Sequence, residues 1–154
     1  MTLSVVAVQR TIDAEPAGVF DLLADPTKHA VIDGSGSVRE VTSSAPRLAL
    51  GATFGASMRI GLPYRVTNTV VEFEEDRQIA WRHFTGHRWR YVLTPVDGGT
   101  LVREEWDASR LSWPVQLVLK LMGFPERNRR GMEETLRRLE AALDGRAGPI
   151  RPPA

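Results

Sequence analysis

The chain has 154 residues, with 20 lysines and arginines against 19 aspartates and glutamates, so its formal net charge is only +1. That length fits one domain, and the near-neutral balance excludes a general electrostatic pull on nucleic acid. Cysteine is absent, which excludes disulfides, thiolate metal sites and cysteine nucleophiles together.

In chain order, residues 3–12 read as a strand rich in Val5, Val6 and Val8. The N-terminal residues Met1, Thr2, Leu3 and Ser4 carry neither the basic nor the apolar region of a signal peptide. Pro16 suits the first turn of a helix, Val19, Phe20, Leu22 and Leu23 give that helix its apolar side, and Pro26 disfavours its continuation. A second short helical turn is predicted over residues 27–32, then a flexible link from Asp33 to Gly36.

Six short strands follow, over residues 38–42, 52–60, 64–73, 78–84, 87–95 and 100–107. Pro46 lies in the loop over 43–50, Gly61-Leu62-Pro63 is a turn, Glu74-Glu75-Asp76 is a charged turn, and Asp97-Gly98-Gly99 is a hairpin signal. After Ser109 the character changes. Pro114 opens a helix through Met122, Gly123 to Pro125 marks a break, and a long helix runs over 126–143. Met132, Leu136, Leu139 and Leu143 recur along it at helical spacing. Residues 1–144 are expected to form one domain, and the proline-rich stretch 145–154 a frayed tail. No apolar run approaches the roughly 20 residues of a membrane span, so a cytoplasmic location without stable membrane insertion is expected.

A sheet with almost all its helix at the end must bury one face under that last helix. The order of elements predicts an α+β fold, a curved antiparallel sheet around a helix with space between them.

The combination Val19-Phe20, Ala24-Asp25-Pro26, His29, Asp33-Gly34, Asn68, Val71-Glu72-Phe73, Ile79-Ala80-Trp81, Gly98-Gly99-Thr100, Val102, Glu104 and Trp106-Asp107 resembles the polyketide cyclase/dehydrase-like branch of the START-like (SRPBCC, Bet v 1-like) superfamily. The resemblance spans nearly the whole chain. It implies a helix-grip fold: two short helices after the first strand and a long C-terminal helix over a cavity. It also implies binding of lipids, sterols, polyketides or other apolar small molecules, by carriers in some members and by aromatase/cyclases in others. Fold alone does not fix the reaction.

Alternation puts Met58, Trp81, His83, Trp89, Tyr91, Glu104 and Trp106 on strand sides that also carry aliphatic residues. These sides are expected to face the cavity, because small-molecule pockets combine aromatic walls with a few polar groups. Asn68 joins them if its side faces inward, as Val66 and Val70 favour, whereas Val71 and Phe73 favour the opposite side. His83 and Glu104 are the candidate catalytic pair, since a His–Glu pair in a cavity can move a proton during cyclisation or dehydration of a polyketide. Alternatively, Glu104 pairs with Arg59, Arg82 or Arg90, because a lone carboxylate on an apolar face is costly.

His29 and Asp33, four apart, are read as a local capping pair. The histidines, His29, His83 and His87, show no ligand spacing for a metal. Gly34-Ser35-Gly36 is no dinucleotide fingerprint, since Arg39 stands where the third glycine belongs; no cofactor is expected. Arg127, Asn128, Arg129 and Arg130 read as a solvated helix face. Trp113, Val115, Leu117, Val118, Leu119, Leu121, Met122 and Phe124 make a segment that is apolar nearly all round. It is a candidate gate, homodimer contact, membrane-touching surface or docking site for another protein.

Overall fold

The computed structural model describes residues 5–147, apart from 44 and 84. Strand β1 (Val5–Ile12) leads into helix α1 (Pro16–Ala24), a 3-10 turn (Pro26–Lys28) and the single-turn helix α2 (His29–Ile32). Strands β2 (Val38–Ser43), β3 (Thr53–Ile60), β4 (Leu62–Glu74), β5 (Gln78–His83), β6 (Arg88–Val96) and β7 (Gly99–Asp107) follow, then helices α3 (Trp113–Leu121) and α4 (Phe124–Ala147). All neighbouring strands are antiparallel, in the order β1-β7-β6-β5-β4-β3-β2. The consecutive strands β1 and β2 therefore lie at opposite edges, and the α1–α2 connection crosses the end of the sheet between them.

The predicted elements are present with shifted ends. The expected turn at Gly61-Leu62-Pro63 shrinks to Gly61, because Ile60 pairs with Leu62 and Arg59 with Pro63. The long helix starts at Phe124, not at residue 126. Pro125 sits in its first turn, where a missing N–H costs nothing. Gly123, at φ 78°, separates it from α3 in a conformation that a Cβ disfavours. At its far end α4 reaches Ala147, four residues beyond the predicted Leu143. The rest of the expected tail, like the start of the strand predicted from residue 3, lies outside the described residues.

The core sits between one face of the sheet and the helices. Val19, Phe20 and Leu23 of α1 and Leu136, Leu139 and Leu143 of α4 meet Ile79, Tyr91, Leu93 and Val102 from the strands. The four apolar positions predicted on the long helix are all buried. A buried leucine of this kind contributes about 1.5–3 kcal/mol, which holds α4 across the sheet. The loop after α2 seals against the same helix. Gly34 N–H donates to Thr135 Oγ1 (2.8 Å), and Arg138 donates to the Asp33 carbonyl (2.8 Å). A Cβ on Gly34 would run into the α4 backbone near Gly131 and Thr135, so only glycine permits this approach.

The conflict in strand β4 is resolved by a bulge. The pairing with β5 shifts between Val70 and Glu72. Val66, Asn68 and Val70 are buried before it; beyond it the alternation flips, and Phe73 also packs on the core, edge-on to Phe20. Glu72 then turns to the other side of the sheet, where it accepts hydrogen bonds from Arg88 and Arg90. Arg90 also reaches Glu105 and Asp107. Of the arginines weighed as partners for Glu104, Arg90 is thus committed to the outer face, where its bonds hold Glu72 below the usual carboxylate range.

Candidate functional site

Between the sheet and α4 lies a cavity of about 1030 Å³. Its floor is set by register. Trp81, Trp89 and Trp106 are direct partners across β5, β6 and β7, and Ile79, Tyr91 and Glu104 form the next row. All of the residues singled out by alternation, Met58, Asn68, Trp81, His83, Trp89, Tyr91, Glu104 and Trp106, line this space.

The row containing Glu104 is the deepest. Tyr91 Oη donates to Glu104 Oε1 at 2.9 Å, and Glu104 Oε2 is buried with no partner among the described residues. Burial raises the carboxyl well above its usual range, the nearby charge of Asp33 raises it further, and the tyrosine hydrogen bond opposes the shift only in part. Burial thus favours the protonated, neutral form of Glu104. Tyr91 is likewise pushed up by burial and by Glu104.

The expected His83–Glu104 pair is not formed. His83 lies two rows away on β5, beyond the tryptophans, and strand spacings place the two Cα atoms on the order of 16 Å apart. Its ring stacks on His87, with centroids 4.6 Å apart, and its Nδ1 lies 3.0 Å from Thr85 Oγ1. The same hydroxyl lies 3.0 Å from His87 Nδ1. Burial lowers both imidazoles, and His83 helps to push His87 down to about 4.

His29 does not pair with Asp33 through its side chain. Its Nε2 lies 2.8 Å from the Leu23 carbonyl, which requires Nε2–H, and its ring stacks on Trp81. Asp33 instead ties its own loop, accepting from Ser35 and from Val38 N–H. His29, Thr85 and His87 are cavity residues that sequence reasoning missed. For His87 the signal was present: it shares the alternation of Trp89 and Tyr91. For His29 it was not, because nothing in a four-residue helix announces that its first side chain points at a sheet.

The mouth of the cavity is formed by Leu111, Val115 and Leu119, by Phe124, and by Glu126, Arg127 and Arg130 of α4. The basic cluster is thus partly a rim, with Glu126 paired to Arg129 and Arg130. No residue of α3 is buried. Trp113, Leu121 and Met122 are largely exposed, while Leu111, Leu119 and Phe124 pack against Val6, Trp106 and Met132. No described helix is long and apolar enough to cross a membrane.

Residues 4–144 match the family described as polyketide cyclase / dehydrase and lipid transport. Uncharacterized protein Rv0088 of Mycobacterium tuberculosis is 34% identical over 151 residues, covering 90% of this chain and 67% of that protein. Among solved structures, protein Ms6760 from Mycobacterium smegmatis superposes with a TM-score of 0.70 at 18% identity, over 94% of this chain and 93% of that one. The Polyketide_cyc-like protein Cgl2372 from Corynebacterium glutamicum does so with a TM-score of 0.64 at 17% identity, over 97% of each. At these identities the structures speak to the fold alone.

Proposed function

From the premise that this chain belongs to the polyketide cyclase/dehydrase and lipid transport family, we propose that it binds one hydrophobic, lipid- or polyketide-like small molecule in the cavity between sheet and α4, without covalent chemistry. The observation that carries this reading is the cavity itself: about 1030 Å³, at the upper end of the size range of ligand pockets, with three tryptophans side by side on its floor. Flat or apolar ligand surface gains most against such a wall. Glu104 supplies the polar contact. In the protonated form that burial favours, its unpartnered oxygen can donate to a ligand carbonyl that enters along the tryptophans. An acid–base step shared by His83 and Glu104 is not carried forward, because the register separates them.

Native mass spectrometry of the protein as purified tests this reading. The expected spectrum contains the chain with a non-covalent adduct that is lost on denaturation, and the stripped protein quenches its tryptophan emission on titration with a polycyclic probe such as 2-methoxynaphthalene. A chain that carries nothing, and whose emission no such probe alters, would refute the proposal.

A further inference from the structure

The hairpin between β5 and β6 brings two imidazoles onto one hydroxyl at the open end of the cavity. His83 N–H donates to the His87 carbonyl at 3.0 Å, and Gly86 N–H to the His83 carbonyl at 2.9 Å, so the backbone fixes the two side chains on one face. The rings stack with planes 12° apart, and His87 meets Trp89 and Trp106 edge-on. His83, Thr85 and His87 all line the cavity.

Thr85 Oγ1 lies 3.0 Å from the Nδ1 atom of each ring. A hydroxyl has one hydrogen, so it donates to at most one of them. The other Nδ1 must carry its own proton and donate to Oγ1. A neutral imidazole protonated on Nδ1 has a bare lone pair on Nε2. Burial keeps both rings neutral at neutral pH. At least one of the two Nε2 atoms is therefore an acceptor, held in that tautomer by Thr85.

We propose that His83, Thr85 and His87 form a subsite for an acidic hydroxyl of the ligand, a phenol or an enol, whose O–H donates to this imidazole nitrogen. The inference rests on the cavity-binding reading and adds a substrate class to it. His87, just before β6, and Tyr91 within it are four residues apart, about 13 Å, with Trp89 between them. The cavity floor thus runs from an acceptor at the histidines, over indole rings, to the donor at Glu104. It matches a flat, largely apolar molecule with a hydroxyl at one end and a carbonyl at the other.

Two measurements test it. In ligand-free protein with 15N-labelled histidine, long-range 1H–15N spectra are expected to show His83 or His87 with a protonated Nδ1 and a bare Nε2. Protonated Nε2 atoms on both rings would overturn the proposal whatever the protein binds. Next, 2-naphthol and 2-methoxynaphthalene, one ring system with and without the O–H, are titrated into the protein. Naphthol is expected to bind about ten-fold more tightly, the worth of one good hydrogen bond. Thr85→Val and His87→Phe should each abolish that ratio. Equal binding of the two probes by the unaltered protein overturns the hydroxyl subsite and leaves the cavity reading intact. Binding of neither overturns both.

Discussion

The same strands build two unlike ends of one cavity. At the closed end, Ile79, Tyr91, Leu93 and Val102 are sealed under α1 and α4, and Val19, Phe20, Leu23 and Leu139 have no exposed surface at all. At the open end, His83, His87 and Trp89 are only half-buried, and the element nearest them, α3, buries none of its residues. The contrast teaches that fold stability and ligand access need not compete. Burial concentrates where α1 and α4 cover the sheet, and the sheet beyond that point is left to present side chains.

The largest effect is expected where the closed end is tightest. Leu139→Ala removes a side chain with 0% exposure from the α4–sheet contact. It should cost about 2–5 kcal/mol, because the surrounding core relaxes only partly into the hole. Denaturant unfolding followed by far-UV circular dichroism measures it. A loss below about 1 kcal/mol would mean that this end can collapse, and the comparison with the open end would fail.

The leucine series was legible in the sequence because a helix against a sheet imposes a strict period, and Met132, Leu136, Leu139 and Leu143 keep it. Alternation along β5, β6 and β7 was legible for the same reason, which is why Trp81, Trp89, Tyr91, Glu104 and Trp106 were placed on one wall. What alternation cannot supply is the offset between strands. His83 and Glu104 share a face, yet their rows are fixed by the hairpins at Gly86 and at Asp97-Gly98, and those put a row of tryptophans between them. The bulge after Val70 was invisible for a related reason: Val66, Asn68, Val70 and Phe73 fit no single period until one extra residue is inserted.

Glu104 sharpens the comparison from inside the closed end. Its folded carboxyl is raised well above the value of an unfolded chain. Between those two values the folded state holds a proton that the unfolded state has lost. Stability linked to Glu104 is thus complete below the unfolded pKa and declines as pH rises toward the folded one. Glu104→Gln keeps an oxygen for the Tyr91 hydroxyl and has no proton to lose. The variant is expected to match the parent near pH 4 and to exceed it at pH 8 by more than the ~0.5 kcal/mol of an ordinary surface change. Urea unfolding at the two pH values reads the difference. A parent protein that gains stability relative to the variant as pH rises would show that the carboxylate has a partner and that the closed end is not apolar.

The smallest effect is expected at the other extreme, on α3. Leu121 is 78% exposed, and its side chain belongs to neither buried cluster. In the isolated chain Leu121→Ser removes apolar surface that already faces water. The unfolding midpoint should therefore move by less than about 0.5 kcal/mol, and it should not depend on protein concentration. The solubility of the variant should rise, because Trp113, Leu117, Val118, Leu121 and Met122 otherwise form an apolar patch of the kind that soluble chains seldom leave bare. A loss above about 1 kcal/mol that grows with protein concentration and shrinks on dilution would show that a second copy covers α3 in solution. The open end would then be closed by assembly, and the difference between the two ends would belong to the monomer alone.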